Sequence, residues 1–265
     1  VRSLHRVTTK DLGLDTERAL VVRMDFAGSG RKGRDRVALY ERLLERVRAV
    51  PGVQSASLAV GAPLHGARGH GVRVVPGGDW VGEGRGSPLG NYVSDRFFET
   101  TGMRIVQGRS IVASDRGGPP VVVVNETLAR LGWPGRSPVG ECAYLSSADD
   151  VCARVVGVVR DAHTFRIRED ATRPWVYAAL DPADVDDRVL LVRRHPDASG
   201  LEGTLRRALR EVDSALPYVD VQRLGDALDP QLRPWRLGAA VFTAFGLLAA
   251  LLAALGLYTA VAYAV

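Results

Sequence analysis

The run Gly28-Ser29-Gly30-Arg31-Lys32-Gly33 is a literal G-x-G-x-x-G, and it falls between a segment that reads as a strand and one that reads as a helix. A turn of that kind brings backbone N–H groups close to a pyrophosphate, so the chemistry it would serve is dinucleotide binding. Its context refuses that reading. In such a turn the third glycine packs inside the helix, and an acid about 20 residues further on meets the ribose. Here the next strand-like segment, Val53 to Val60 (VQSASLAV), contains no acid. Gly28 and Gly33 also have phosphate-loop spacing, but Arg34-Asp35 stand where Lys and Ser or Thr are required. The run is read as a connection, and no nucleotide-binding or ATPase site is expected in this chain.

Other reactive side chains are scattered. His65 and His70 lie in a loop with no cysteine or carboxylate at ligand spacing, whereas zinc needs three or four converging ligands. Asp181, Asp184, Asp186 and Asp187 lack the central glycine and terminal glutamate of a calcium loop. No serine sits in a G-x-S-x-G elbow, and His163 and His195 have no identifiable nucleophile partner. The expectation is a chain without catalytic, metal-binding or cofactor-binding residues.

The two cysteines are more informative. Cys142 and Cys152 bracket the polar stretch Ser146 to Asp150, with strand-like residues on both sides. A hairpin centred near Ser147 would set them directly across from one another, within reach of a disulfide. The residues alone leave a reduced pair equally open; a membrane-linked, oxidising compartment favours the bond.

The elements that position these residues follow from periodicity. Leu20 to Phe26 reads as a strand, and Arg34 to Val50 as a helix with a core stripe of Val37, Tyr40, Leu44 and Val47 that Pro51-Gly52 stops. Val53 to Val60 then completes a β-α-β unit. A second unit closes the soluble part: strand Arg188 to Arg194, helix Leu201 to Val212 with Leu201, Leu205, Ala208 and Val212 on one face, and strand Tyr218 to Val221. Ser199 and Glu202 have capping-box spacing at that helix. Between the units come a Gly-rich segment (Gly61 to Gly90), a short helix near Ser94 to Thr100, the strand Val121 to Val124, a helix opening at Asn125, and the cysteine hairpin.

Fold class is therefore α+β. Residues 20–62 and 188–222 are expected to form a split, ferredoxin-like porter lobe, with 63–187 as an inserted mixed α/β lobe. Residues 1–19 would be a linker following an upstream membrane helix, since no apolar run opens the chain at Val1. Residues 223–236 would link to the membrane, stiffened by Pro230 and Pro234.

The closing stretch 237–265 carries no charge over 29 residues, and about 20 apolar residues span a bilayer. A transmembrane helix is expected there. Arg233 and Arg236 flank one side only, which cannot fix its orientation. The net charge of +5 comes almost wholly from arginine, Lys10 and Lys32 being the only lysines, and the arginines alternate with acids instead of gathering on a face with aromatics. No nucleic-acid partner is expected.

Three segments in order carry a resemblance: Phe97 to Met103 (FFETTGM) with Gly108-Arg109, Val121 to Glu141 (VVVVNETLARLGWPGRSPVGE), and Val155 to Asp161 (VVGVVRD). Together they resemble the periplasmic core domain of MacB-like ABC transporter permeases. Phe245 to Val265 resembles the start of the FtsX-like membrane region that follows it, and the whole chain resembles the duplicated permeases described mainly from acidobacteria. The resemblance implies a non-catalytic, two-lobed periplasmic domain between two transmembrane helices of the bacterial inner membrane. It implies as partners a cytoplasmic ABC ATPase that hydrolyses ATP, the other helices of the same permease and a possible second permease copy, with export or extraction as the task. Two competing classes are an enzyme, which would need a convergent polar pocket, and a membrane-anchored sensor, which would lead through one span to a signalling domain.

Overall fold

The computed structural model describes residues 12–25, 33–64, 68–69, 71–75, 78–79, 81, 88–145, 151–164, 173–180, 188–214, 216 and 218–228, together with 241–243, 245–250 and 252–255. Asp11–Asp226 form one compact unit; Val1–Lys10 with Ala227–Val265 form another. In the second unit every described residue of 241–255 is helical, and Phe242, Phe245, Leu247, Leu248, Leu252 and Leu255 are exposed. Among the described residues no helix is long and apolar enough to cross a membrane. Much of the expected span over 237–265 lies outside them.

The larger unit is organised around a mixed sheet. Its first section contains β1 (Ala19–Asp25), β2 (Val53–Ala59), β11 (Val189–Arg194) and β12 (Tyr218–Arg223), ordered β12-β1-β11-β2 with every neighbour antiparallel. The two β-α-β units thus interlock, because β11 lies between β1 and β2. Helix α1 (Arg34–Arg48) and helix α4 (Leu201–Val212) supply the core on one face.

The expected α1 stripe of Val37, Tyr40, Leu44 and Val47 is buried, joined by Leu39 and Leu43. Tyr40 adds a polar anchor: its hydroxyl donates to the Arg188 carbonyl at 2.7 Å and accepts from the Arg188 N–H at 3.2 Å. Asp35 in the first turn and Arg46 and Arg48 in the last complement the helix dipole. Leu201, Leu205, Ala208 and Leu209 are buried on α4, while Val212 is only partly so.

The capping box expected at α4 is not formed. Gly200 is the N-cap, with φ +66°, and it makes no side-chain cap bond. A left-handed residue at that point turns the chain into the helix one position after Ser199, so the hydroxyl is displaced from the orphan N–H groups it would have capped.

The second section continues the same sheet in the order β5-β10-β7-β9-β8-β4: β5 (Leu89–Val93), β10 (Trp175–Ala179), β7 (Val121–Asn125), β9 (Cys152–Val159), β8 (Cys142–Leu145) and β4 (Val72–Arg73). Strands β3 (Arg68–Gly69) and β6 (Ile105–Gly108) pair with β5 and β9. β5 and β10 run parallel, as do β7 and β9. All five residues of β7 are buried, four valines in an unbroken apolar run and then the polar Asn125. Helix α3 (Glu126–Gly132) covers β7 and β9, packing Leu128 and the neighbouring Trp133 into a second core with Val122, Val124, Val155 and Val176.

Two glycines permit β6 to approach β9. Gly108 has φ +66°, and a Cβ there would collide with the Val156 carbonyl oxygen; a Cβ on Gly157 would collide with the Arg109 carbonyl oxygen. The approach is sealed by Arg109 N–H donating to Val156 O at 2.9 Å. Gly157→Ala is expected to cost roughly 1–3 kcal/mol by overpacking, read as a lower urea midpoint with unchanged slope. An unshifted midpoint would show that β6 is free to move off β9.

Candidate functional site

The sheet is thinnest where its two sections meet. β2 and β5 share a single residue pair, Ala59 with Val93. Two ladder bonds flank it, Val60 N–H to Tyr92 O at 3.0 Å and Ser94 N–H to Leu58 O at 2.8 Å. Beyond them, side chains take over from the backbone. The Ser94 hydroxyl accepts from Leu58 N–H at 2.9 Å, and the Asn91 amide both accepts from Gly61 N–H and donates to Gly61 O. Arg48, in the last turn of α1, donates to Ala56 O and forms an ion pair with Asp95 at 2.9 Å.

On the sheet face away from α1, helix α2 (Phe97–Thr101) is bolted to the first section. Arg193 on β11 is only 8% exposed, so its charge must be paired. Its guanidinium donates to Asp15 Oδ2 at 2.8 Å, to the Glu99 carbonyl at 3.1 Å and to Gln54 Oε1 at 3.3 Å. Asp15 also accepts from the Arg18 backbone N–H and side chain, and its own N–H donates to Thr101 O at 2.8 Å. Ser55 and Thr100 hydroxyls meet at 2.9 Å beside this cluster.

Burial by itself would raise the Asp15 carboxyl, but the Arg18 hydrogen bonds and the charges of Arg193 and Arg18 outweigh it and hold the group below its usual range. Burial lowers Arg193, opposed chiefly by the Asp15 charge. Gly102, at φ +78°, closes α2 where any Cβ would press within 2.9 Å of both Arg193 Nη1 and Asp15 Cβ. The FFETTG segment is therefore a structural fitting. Its two phenylalanines pack edge-on to one another and against Tyr177 of β10, which stacks on Trp175.

A second polar node joins the other two motif segments. Asn125 caps α3, accepting from Leu128 N–H at 3.0 Å and from Trp175 N–H at 2.8 Å, and it donates to Asp161 Oδ1 at 2.7 Å. Asp161 further accepts from Thr127 N–H, the Thr127 hydroxyl and Arg130. Four donors are thus shared between the two carboxylate oxygens, so Asp161 holds the end of β9 to α3. Burial pushes the nearby Tyr177 phenol far above its ordinary value, with the Asp161 charge adding to the rise. It stays neutral under any ordinary condition.

Cys142 and Cys152 are joined, with Cα atoms 5.1 Å apart. The expected geometry needs correcting, however. Cys142 lies opposite Arg154, and Tyr144 opposite Cys152, so the bond runs diagonally across the hairpin. Strand twist brings the diagonal pair together, and the symmetry point falls one residue after Ser147.

Pro230 and Pro234 lie outside the described residues, as do Gly28 to Lys32, His65, His70, Asp181, Asp184, Asp186 and Asp187. Gly33 is described, as the N-cap of α1. His195 is exposed, with Nδ1 at 3.4 Å from Asp197, and the His163 N–H donates to Leu12 O. Among the described residues no group of three or more His, Cys, Asp or Glu is placed to hold a metal ion. Sequence reasoning missed Asp15, Asn91 and Arg193, which have no local pattern. Asn125 and Asp161 were visible as the ends of two apolar runs, though not as partners.

Residues 7–193 match the family described as MacB-like periplasmic core domain. Among solved structures, the periplasmic region of MacB from Actinobacillus actinomycetemcomitans aligns over 86% of this chain and 98% of its own, with 13% identity and a TM-score of 0.56. The extracellular domain of the noncanonic ABC-type transporter YknZ from Gram-positive bacteria covers 77% of this chain and 99% of its own, at 10% identity and a TM-score of 0.49. A domain of a putative permease from Porphyromonas gingivalis covers 78% and 91%, at 15% identity and a TM-score of 0.48. No curated protein matches in sequence.

Two outcomes follow from these contacts. Asp15 and Asp115 both have lowered folded-state values, Asp115 chiefly through its paired hydrogen bonds with Arg109. Their contribution is full above the unfolded carboxylate value of about 3.9 and is lost as pH falls through the lower folded values. The urea midpoint should therefore drop steeply below about pH 4, and Arg109→Gln should flatten part of that drop; identical profiles would sink the Asp115 assignment. Separately, Cys142→Ser with Cys152→Ser should remove roughly 2–3 kcal/mol, mostly by freeing the unfolded chain. Intact-mass analysis should show a gain of two hydrogens on reduction of the unsubstituted protein, and free thiols before reduction would contradict the bond.

Proposed function

We propose, on the premise that this chain belongs to the MacB-like periplasmic core domain family, that it couples ATP-driven movement of membrane helices to export or extraction of a substrate. It is a periplasmic domain of a MacB-like ABC transporter permease. The observation that carries the proposal is the family match across 7–193, in which the three motif segments serve as fittings that hold the sheet. A domain whose distinctive residues are spent on rigidity suits mechanical work, and we assign it no chemistry of its own.

On this reading ATP is hydrolysed by a cytoplasmic ABC ATPase, and no cofactor resides in this chain. Its partners are that ATPase, the other membrane helices of the same permease and a second permease copy, in the bacterial inner membrane. The uncharged stretch 237–265, with exposed apolar side chains on its described helical residues, is read as the following transmembrane helix. The order β12-β1-β11-β2 with α1 and α4 on one face supports a split ferredoxin-like porter lobe from 20–62 and 188–222, with 63–187 inserted. The Cys142–Cys152 bond fits an oxidising compartment.

Movement of the membrane helix would reach this domain through Asp226 to Trp235, where Pro230 and Pro234 leave less slack than a Gly-Ser linker. Replacing that link with Gly-Ser residues of equal length, in the reconstituted permease with its ATPase, should uncouple transport from ATP hydrolysis while the urea midpoint stays unchanged. Unchanged transport per ATP hydrolysed would defeat the coupling role.

A further inference from the structure

The two faces of the β2–β5 joint are held in different ways. On the α2 face the contacts are buried and directly packed: Phe97 and Phe98 are almost wholly covered, Ser55 bonds Thr100, and Arg193 bonds the Glu99 carbonyl. On the α1 face lies a pocket of roughly 210 Å³, bordered by Leu44, Arg48, Leu58, Val93, Ile111 and Leu180. Four of its lining residues form two ion pairs, Arg48 with Asp95 and Glu41 with Arg116, whose side chains are all partly open to solvent.

Packed interiors resist compression, and contacts that water can replace break most readily. A sheet joined by one residue pair therefore bends where it is thinnest, toward the side that has space and screened contacts. We propose that the β2–β5 joint is a one-sided hinge: the two sections of the sheet close and open over the α1-face pocket, latched by Arg48–Asp95 and Glu41–Arg116, with α2 as the pivot. The backbone between latch and pivot is itself strained. Arg96 follows Asp95 directly, precedes α2 and has φ +61°, a left-handed conformation unusual for a residue with a side chain. Side chains in place of ladder bonds at Asn91 and Ser94 also let the joint change angle without orphaning backbone groups.

The hinge is independent of the transport reading and is tested on distances alone. Both native cysteines are held in the disulfide, so spin labels attach only to introduced ones. One label pair, Arg42→Cys with Ser114→Cys, uses exposed positions next in sequence to the lining residues Glu41 and Ala113 on the two sides of the pocket; a second, Glu17→Cys with Glu99→Cys, reports on the pivot face. In the full chain, pulsed-dipolar distances across the mouth should gain a longer population, at least threefold larger, when Arg48→Gln and Glu41→Gln remove the latches. The pivot pair should not change. Sodium chloride at about 1 M, which shortens the screening length to about 3 Å, should enlarge the same longer population without the latch substitutions, by less than they do because both pairs are only partly exposed, so a poorly folding variant leaves the test intact. An unchanged mouth distribution in salt, or equal broadening of both pairs, would overturn the hinge.

Discussion

A guanidinium buried in a protein has to find all its partners inside, and Arg193 finds them on three separate parts of the chain. Asp15 comes from the segment before β1, Glu99 from α2 and Gln54 from β2. Removing Asp15 would leave the charge uncompensated, and removing the Gln54 amide would leave a buried N–H unpaired; either costs more than the contact itself contributes. The cluster thus constrains where α2 lies on the first section of the sheet. Because Gly102 ends α2 in contact with the same two side chains, the turn into β6 is constrained as well.

The remaining motif residues extend that constraint outward. Gly108 and Gly157 let β6 lie closer to β9 than any side chain would permit, and Arg109 then reaches Asp115 through two hydrogen bonds. Asn125 and Asp161 tie the ends of two parallel strands to the start of α3 and to β10. Polar groups in these positions are saturated with donors and acceptors. Groups held by several hydrogen bonds at once are good fasteners.

Rigidity is unevenly distributed across the joint. One apolar core lies under α1 and α4 and reaches Leu180 and Tyr92 across the joint, and another lies under α3. The sections share a single ladder pair, a buried fitting on one face and partly exposed ion pairs on the other. A domain built this way can pass a force along each section while localising deformation between them.

Periodicity alone determined the α+β class, the α1 stripe, both β-α-β units and the helix start at Asn125, because these depend on residues within a few positions of one another. It also placed Cys142 and Cys152 in one hairpin, though the diagonal register depends on strand twist that no spacing encodes. The order β12-β1-β11-β2, the continuation through β5 and the Arg193 cluster were decided only by tertiary structure. Arg193 and Asp15 are 178 residues apart, and the one as sequence is an arginine among many while the other is an ordinary loop aspartate. Burial gives them their role, since only inside the protein does an unpaired charge become too costly to keep, and burial is a property of the assembled fold.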